Sequence, residues 1–152
     1  MTEITNWDDA SEKMIKSLNG DMQRFLFELR NISDLPFQVI EGRRSKQRQH
    51  ELWEHGEVAE SRDSPYCRGT GVNVMITMHT IPCFSPDIYL ELAQCAMFAA
   101  KNLDMGIYWG ATGGLDLRLI GDSLEEKFLD NQKAHSQGLM IQNQRLQYFE
   151  LA

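Results

Sequence analysis

The sequence predicts an α+β fold in which an antiparallel sheet is flanked by helices. Apolar residues recur at helical spacing between Met14 and Leu29, whereas apolar and polar residues alternate from Gly71 to Ile81 as in a strand. The predicted order of elements is α-β-α-β-α-β-(α)-β, and its connections do not require parallel strands. A chain of 152 residues is long enough for one domain with a core, so we assign residues 1–152 to a single domain.

The first half of the chain begins with a long amphipathic helix. We predict this helix over 11–31, with Gly20 as a weak point because glycine lowers helix stability. A strand over 36–42 follows and ends at a glycine. The next helix spans 45–55, because it starts at a serine suited to N-capping and is followed by Gly56, a residue that often ends helices.

The second half contains the clearest helix start, Ser85-Pro86-Asp87, in which a capping serine precedes a proline at the first helical position. Asp87 adds negative charge near the positive end of the helix dipole. The predicted elements of this half are, in order, a loop over 57–70, a strand over 71–81, a loop over 82–85, a helix over 86–104, a strand over 107–110, a glycine turn over 110–114, a helix from 122 or 123 to 135, and a strand over 145–152.

Composition and charge argue against several classes of function. A net charge of −7 disfavours binding to nucleic acid or to an anionic membrane, because phosphate contacts need clustered cations. The basic run over 43–48 is predicted to be a solvated helix face rather than a phosphate site. The first residues show no secretory signal, no stretch is apolar enough to cross a bilayer, and the 3 scattered cysteines predict free thiols rather than disulfides.

The stretch GRRSKQRQHELWEHG carries the first resemblance to a known family. It fits the spacing G-x-R-[ST]-x-x-x-Q-x-x-L-[aromatic]-x-x-G through Gly42, Arg44, Ser45, Gln49, Leu52, Trp53 and Gly56. This pattern resembles a signature of a zinc peptidase family that contains the L-alanyl-D-glutamate endopeptidases of phage endolysins and D-alanyl-D-alanine carboxypeptidases. The resemblance implies the hedgehog/DD-peptidase fold.

The stretch SPYCRGTGVN resembles the second signature of that family, S-x-H-x-x-G-x-A-x-D, in part. Ser64, Gly69 and the small residue Gly71 stand at the expected positions. Tyr66, however, stands where the family has a zinc-binding histidine. Asn73 stands where the family has a zinc-binding aspartate.

The stretch RLQYFEL near the end of the chain is similar to the closing motif of the family, which carries a catalytic acid and the third zinc ligand. Arg145 falls on the position of the acid, and Tyr148 falls on the position of the ligand histidine. The stretch YLELAQCAMFAAKNLDMGIYWGATGG also looks like a segment of the family. The resemblance therefore covers about residues 11–152.

These replacements predict that the zinc chemistry of the family is missing. A catalytic zinc needs three protein ligands and an open water position, whereas a phenol with a pKa near ~10 must first lose its proton and an amide brings no charge. An arginine in place of the acid cannot activate water as a general base. We therefore predict no catalytic residue, no metal ligand and no cofactor.

Other residues offer weaker alternatives for chemistry at the site. His135 is the histidine that deserves testing as a substitute ligand, although an ordinary polar role is favoured. Cys67 lies in the same loop as Tyr66, and a half-buried thiol is favoured there over a nucleophile.

The first functional hypothesis is a pseudoenzyme that keeps the peptidase fold without hydrolysis. By analogy with endolysins, it would be a structural or assembly protein of a phage virion, in the tail, baseplate or head–tail region. It would be made in the host cytoplasm and located in the virion, with other virion proteins or copies of itself as partners. A pocket holding Tyr66, Asn73, Arg145 and Tyr148 would suit such a partner.

Three alternatives stay open. A non-hydrolytic module would bind peptidoglycan stem peptides, with Arg44, Gln49 and Ser64 holding a carboxylate or an amide. A zinc endopeptidase would need a metal site rebuilt from other residues. A regulator would mimic an endolysin and block it.

Overall fold

The computed structural model describes residues 7–58, 64–79, 81–134 and 145–152. The helices within these ranges are, in chain order, α1 (Asp9–Lys16), α2 (Gly20–Ile32), α3 (Lys46–Glu54), α4 (Pro65–Arg68), α5 (Pro86–Leu103), α6 (Leu117–Ile120) and α7 (Leu124–Ala134). The strands are β1 (Phe37–Glu41), β2 (Gly71–Met78), β3 (Ile81–Pro82), β4 (Ile107–Trp109) and β5 (Tyr148–Leu151). Short 3₁₀ turns span Gly110–Thr112 and Gly121–Ser123.

All strand pairs in these ranges are antiparallel. The strands β1, β2, β5 and β4 lie side by side in that order, and β3 pairs with β2. The predicted α+β fold, an antiparallel sheet flanked by helices, is thus confirmed. Because β5 lies between β2 and β4, the end of the chain is brought next to residues far away in sequence.

The hydrophobic core lies between one face of the sheet and the packed helices α2 and α5. Side chains alternate along a strand, so Val72, Val74 and Ile76 of β2 all point to this face and are fully buried. Phe25 of α2 packs with Phe149 of β5, and their ring centroids are 5.8 Å apart. The other face of the sheet is therefore left for polar side chains.

The predicted single helix over 11–31 is wrong, because the chain breaks between α1 and α2. The side chain of Asn19 caps α2 by accepting a hydrogen bond from the backbone N–H of Asp21 at 2.9 Å. The backbone N–H of Asn19 also donates to the carbonyl of Gly69 at 2.9 Å. The break is thereby tied to the loop that leads into β2.

The boundaries of several other helices and strands also differ from the predicted ones. The predicted loop over 57–70 contains α4, and the predicted strand over 71–81 turns at His79, whose φ of 52° lies in the left-handed region. Ser85 precedes α5 as predicted but makes no side-chain capping bond. The final strand is shorter than predicted, because residues 145–147 form a helical turn.

Helices α3, α5 and α7 agree with the prediction to within a turn, whereas the short helix α6 (Leu117–Ile120) was not predicted. α3 and α5 lie where the capping patterns place them. α7 starts at Leu124, directly after a 3₁₀ turn, and the last residue predicted for it, His135, lies outside the described residues. None of the helices in the described ranges is long and apolar enough to cross a membrane.

Candidate functional site

Three polar side chains form one row across the sheet, on the face away from the core. The strand register pairs Glu41 of β1 with Asn73 of β2, and pairs Asn73 with Tyr148 of β5. A bulge after Val39 shifts the register of β1. The bulge turns Glu41 to the face of Asn73 instead of the buried face of Val39, because one extra residue reverses the alternation of side chains.

The short helix α4 places Tyr66 above this row. Ser64 caps α4 by accepting a backbone hydrogen bond within the first turn at 3.2 Å, and the helix ends at Gly69, whose φ is 72°. The carbonyl of Tyr66 accepts a hydrogen bond from the N–H of Arg44 at 2.9 Å. The hydroxyl of Tyr66 donates to Oδ1 of Asn73 at 2.7 Å, so the helix and the strand meet through these two side chains.

Arg44 forms an inner wall of the cluster, and its side chain is only 8% exposed. Its guanidinium donates to the Glu41 carboxylate through Nε and Nη2, and to Oε1 of Gln49 through Nη1 at 2.8 Å. Its Cζ also lies 4.1 Å from the centroid of the Tyr66 ring, within range of cation–π attraction. The guanidinium is thus held on three sides, and Arg44 positions Tyr66.

Tyr66 and Tyr148 are in contact, with ring centroids 5.4 Å apart. Burial raises the pKa of the Tyr66 phenol, and the negative charge of Glu41 adds to this effect, while Arg44 partly opposes it. Burial also raises the pKa of the Tyr148 phenol. The hydrogen bond that this hydroxyl donates to Glu150 at 2.6 Å raises that pKa further. Both phenols therefore keep their protons at neutral pH.

Two cavities flank the tyrosine pair. The larger one, of about 540 Å³, is called the arginine cleft here, and its lining includes Arg43, Arg44, Arg48, Tyr66 and Asn73. The smaller one, of about 350 Å³, is called the glutamate cavity and is lined by Tyr108, Trp109, Gly110, Gly113, Gly114, Tyr148 and Glu150. Tyr66 lines the arginine cleft and Tyr148 lines the glutamate cavity, so the two contacting rings lie between the cavities.

Two predicted site residues lie outside the cluster. Ser64 caps α4 and lines neither cavity, and its Oγ lies 3.5 Å from Sγ of the half-buried Cys67. Arg145 lies in the helical turn before β5, with its backbone against Gly110 and with its buried Nε lacking a hydrogen-bond partner among the described residues. The predicted residues that the structure does bring together are Arg44, Gln49, Tyr66, Asn73 and Tyr148.

The zinc implied by the family resemblance does not fit the residues of this cluster. Tyr66, Asn73 and Tyr148 offer two protonated phenols and one amide, whereas zinc sites use imidazole, thiolate or carboxylate ligands. Within the part of the chain that the structure describes, no three His, Cys, Asp or Glu side chains are grouped so that they could hold a metal ion. His135 lies outside that part, so its predicted role in a metal site stays a prediction.

Two residues of the site, Glu41 and Glu150, are not among the predicted site residues. Glu41 directly precedes the first motif, and only the bulge in β1 turns it toward Asn73. No periodicity in the sequence predicts that bulge. Glu150 lies two residues after Tyr148 and hence on the same face of β5. The alternation of side chains along this strand is therefore a signal that could have found it.

The antiparallel sheet, with helices on one face and a cleft on its polar face, defines an α+β fold. The crystal structure of the L-Ala D-Glu endopeptidase ChiX from Serratia marcescens is similar to this chain, with a TM-score of 0.70 and 21% sequence identity. The match covers 99% of this chain and 92% of that chain. The peptidase-like fold implied by the sequence motifs is thus confirmed. Neither the known protein-family models nor the curated protein sequences contain a match.

This comparison contradicts the prediction that the chain is not an enzyme, because the similar structure is that of an endopeptidase. The prediction rests on the residue types at four motif positions. The fold around those positions, over nearly the whole chain, is one that an endopeptidase uses. Residue types at a few positions do not by themselves decide activity on such a fold, and an identity of 21% establishes the fold alone.

Proposed function

We propose that this chain binds peptides of the peptidoglycan stem in the arginine cleft. The observation that carries the proposal is the position of the cleft. It opens beside the row of Glu41, Asn73 and Tyr148, on a fold similar to that of an L-Ala D-Glu endopeptidase. A peptide that contains L-Ala and D-Glu presents carboxylates and backbone amides to such a cleft.

The charges along the cleft favour a carboxylate. Its lining contains Arg43, Arg44 and Arg48 against Glu41 and Glu57, which leaves an excess of positive charge. The side chain of Arg48 is 60% exposed, and its contact with Glu51 is long at 3.7 Å. Arg48 is thus able to turn toward a bound carboxylate, whereas Arg44 is held by its neighbours.

Asn73 supports recognition of a peptide amide. Because Oδ1 of Asn73 accepts the hydrogen bond of Tyr66, the orientation of the side-chain amide is fixed. The Nδ2 group then retains its two N–H donors for a peptide carbonyl. A fixed donor loses little conformational freedom when the ligand binds, which favours affinity.

Co-sedimentation with purified peptidoglycan sacculi, together with calorimetry on the dipeptide L-Ala-D-Glu, tests this proposal. We expect the wild-type protein to be retained, and we expect Arg48→Gln and Asn73→Leu each to weaken binding by about fivefold, because each removes roughly 1 kcal/mol of hydrogen bonding. Arg24→Gln is the matched control, since the side chain of Arg24 is 61% exposed and lies on α2, outside the cleft.

The outcome that contradicts the proposal is a wild-type protein that neither sediments with sacculi nor binds the dipeptide. Soluble peptides released from the sacculi should be measured in the same samples. Release would support recognition as well, because a peptide must be bound before it is cut.

The predicted virion location, and the predicted partnership with other virion proteins or with copies of this chain, stay predictions. No contact among the described residues and no comparison with a known protein bears on them.

A further inference from the structure

The lining of the glutamate cavity includes one carboxylate, that of Glu150. Glu150 is half-buried, and it takes part in none of the ion pairs among the residues that the structure describes. One carboxylate oxygen, Oε1, accepts the hydrogen bond of the Tyr148 hydroxyl at 2.6 Å. The other oxygen remains available as an acceptor. A half-buried carboxylate is stabilised by a nearby cation.

Two tyrosines flank Glu150 as a result of the strand register. Tyr108 of β4 pairs directly with Glu150, and Tyr148 lies two residues before it on the same face of β5. On the other side Glu150 pairs with Gly71, which has no side chain. The carboxylate therefore lies between aromatic rings, whose faces attract cations.

A glycine turn leaves the mouth of this cavity open. Gly113 has a φ of 68°, which a side chain rarely adopts, and a Cβ at Gly113 or Gly114 would have no atom within 4 Å. The volume of about 350 Å³ is at the lower end of the range for small-molecule sites. The cavity thus has room for one side chain or one chain end, and not for a large ligand.

From the half-buried carboxylate outside the described ion pairs, the flanking tyrosines and the open cavity, we propose that the glutamate cavity binds an alkylammonium group, carried by a lysine-like side chain or by a peptide N-terminus. The ammonium donates to the free oxygen of Glu150 and lies against the rings of Tyr108 and Tyr148. This site is distinct from the arginine cleft, because the two cavities share no lining residue. The inference therefore goes beyond the peptide-binding proposal and does not depend on it.

Nuclear magnetic resonance titration of the ¹⁵N-labelled full chain tests the site with three probes of similar size. Nα-acetyl-lysine methylamide carries a side-chain ammonium, and norleucine methylamide carries an α-ammonium. Nα-acetyl-norleucine methylamide carries neither. We expect one or both charged probes to shift the signals of Gly113, Gly114 and the Trp109 indole in a saturable way. The neutral probe should leave these signals in place.

Glu150→Gln is the decisive variant, because glutamine keeps an acceptor for the Tyr148 hydroxyl but removes the charge. We expect it to weaken binding of the charged probe at least about tenfold, as for a lost charge-assisted hydrogen bond. Glu126→Gln is the matched control, since Glu126 is exposed on α7 and lies outside the cavity. Tyr108→Leu provides a second test through the ring contact, with an expected loss of about threefold.

Three outcomes would overturn the inference: no shift with either charged probe, equal shifts with the neutral probe, or undiminished binding to Glu150→Gln. A shift with only one of the charged probes supports the inference and identifies the source of the ammonium. Failure of the peptide-binding proposal would appear separately, as lost sacculus binding by a protein that still binds the charged probe.

Discussion

The hydroxyl of Tyr66 donates to Oδ1 of Asn73 at 2.7 Å. The motif resemblance matches these two positions to a histidine and an aspartate of the zinc peptidases. The two side chains satisfy each other by a neutral hydrogen bond, and Tyr148 contacts the Tyr66 ring from the neighbouring strand. The three positions that the motifs match to zinc ligands are thus close together, although their side chains differ in chemistry from those ligands.

This proximity predicts that zinc binding can be introduced by three substitutions. The variant Tyr66→His, Asn73→Asp, Tyr148→His presents two imidazoles and one carboxylate, which are good zinc ligands. We expect it to hold about one zinc per chain after zinc loading and desalting, measured by mass spectrometry of the metal, because three ligands suffice for an open site. The wild-type chain should hold far less.

The control for this experiment is Tyr66→Phe, Asn73→Leu, Tyr148→Phe, which changes the same positions without adding ligands. If the wild-type chain itself retained one zinc, ligands outside the cluster would be responsible, and His135→Ala would be the first variant to measure. If the histidine-containing variant folds but retains no zinc, the proposed match of these positions to the family is wrong.

Arg44→Lys is expected to lower the free energy of unfolding by about 1–2 kcal/mol. Lysine cannot reproduce the paired donors toward Glu41 or the stacking on Tyr66. This loss is smaller than that for a fully buried ion pair, because the Glu41 side chain is 37% exposed. Urea unfolding measures the change, and Arg24→Lys at an exposed site should change it by less than about 0.5 kcal/mol. Equal effects of the two variants would refute a structural role for the Arg44 contacts.

Gly42→Ala is expected to destabilise the chain by about 1–3 kcal/mol, because a methyl group there overpacks the end of α1. A Cβ at Gly42 would lie 2.9 Å from the carbonyl oxygen of Met14, which is backbone and cannot move aside alone. Gly20→Ala is the matched control, since a Cβ at that position has no atom within 4 Å. We expect it to be neutral or to stabilise the helix slightly. Thermal unfolding of both variants measures the difference, and a neutral Gly42→Ala would show that the close approach is not required.

Local patterns in the sequence are enough to predict most helices and strands. Where the predicted boundaries are wrong, contacts between distant segments explain the difference. The alternation in β2 and the Ser-Pro-Asp start of α5 act within a few residues, so the sequence predicts correctly where both elements begin. The break at Asn19 depends on the carbonyl of Gly69, a partner about fifty positions along the chain, and no local pattern encodes it.

In the candidate site, too, local sequence patterns predict some residues correctly, and others depend on contacts between distant segments. The motif spacing predicts Tyr66, Asn73 and Tyr148 as site residues, and the structure places them in contact. Arg145 was predicted to join them because it stands at the position of the catalytic acid in the closing motif, three residues before Tyr148. A helical turn before β5 instead keeps it out of both cavities. The position of the Arg145 side chain depends on the residue at which β5 starts, and sequence patterns predict the ends of strands poorly.

The two buried phenols predict that stability falls steeply at alkaline pH. The pKa values of Tyr66 and Tyr148 are raised in the folded chain, so their contribution to stability is fully present below the unfolded value near ~10 and is lost as pH rises through the folded values. The free energy of unfolding should therefore decrease above about pH 10, by up to about 2.7 kcal/mol per pH unit for two protons. Urea unfolding at pH 8, 10 and 11 measures this slope. In the variant Tyr66→Phe, Tyr148→Phe we expect a smaller decrease, whereas a decrease equal to that of the wild-type chain would show that other groups cause it.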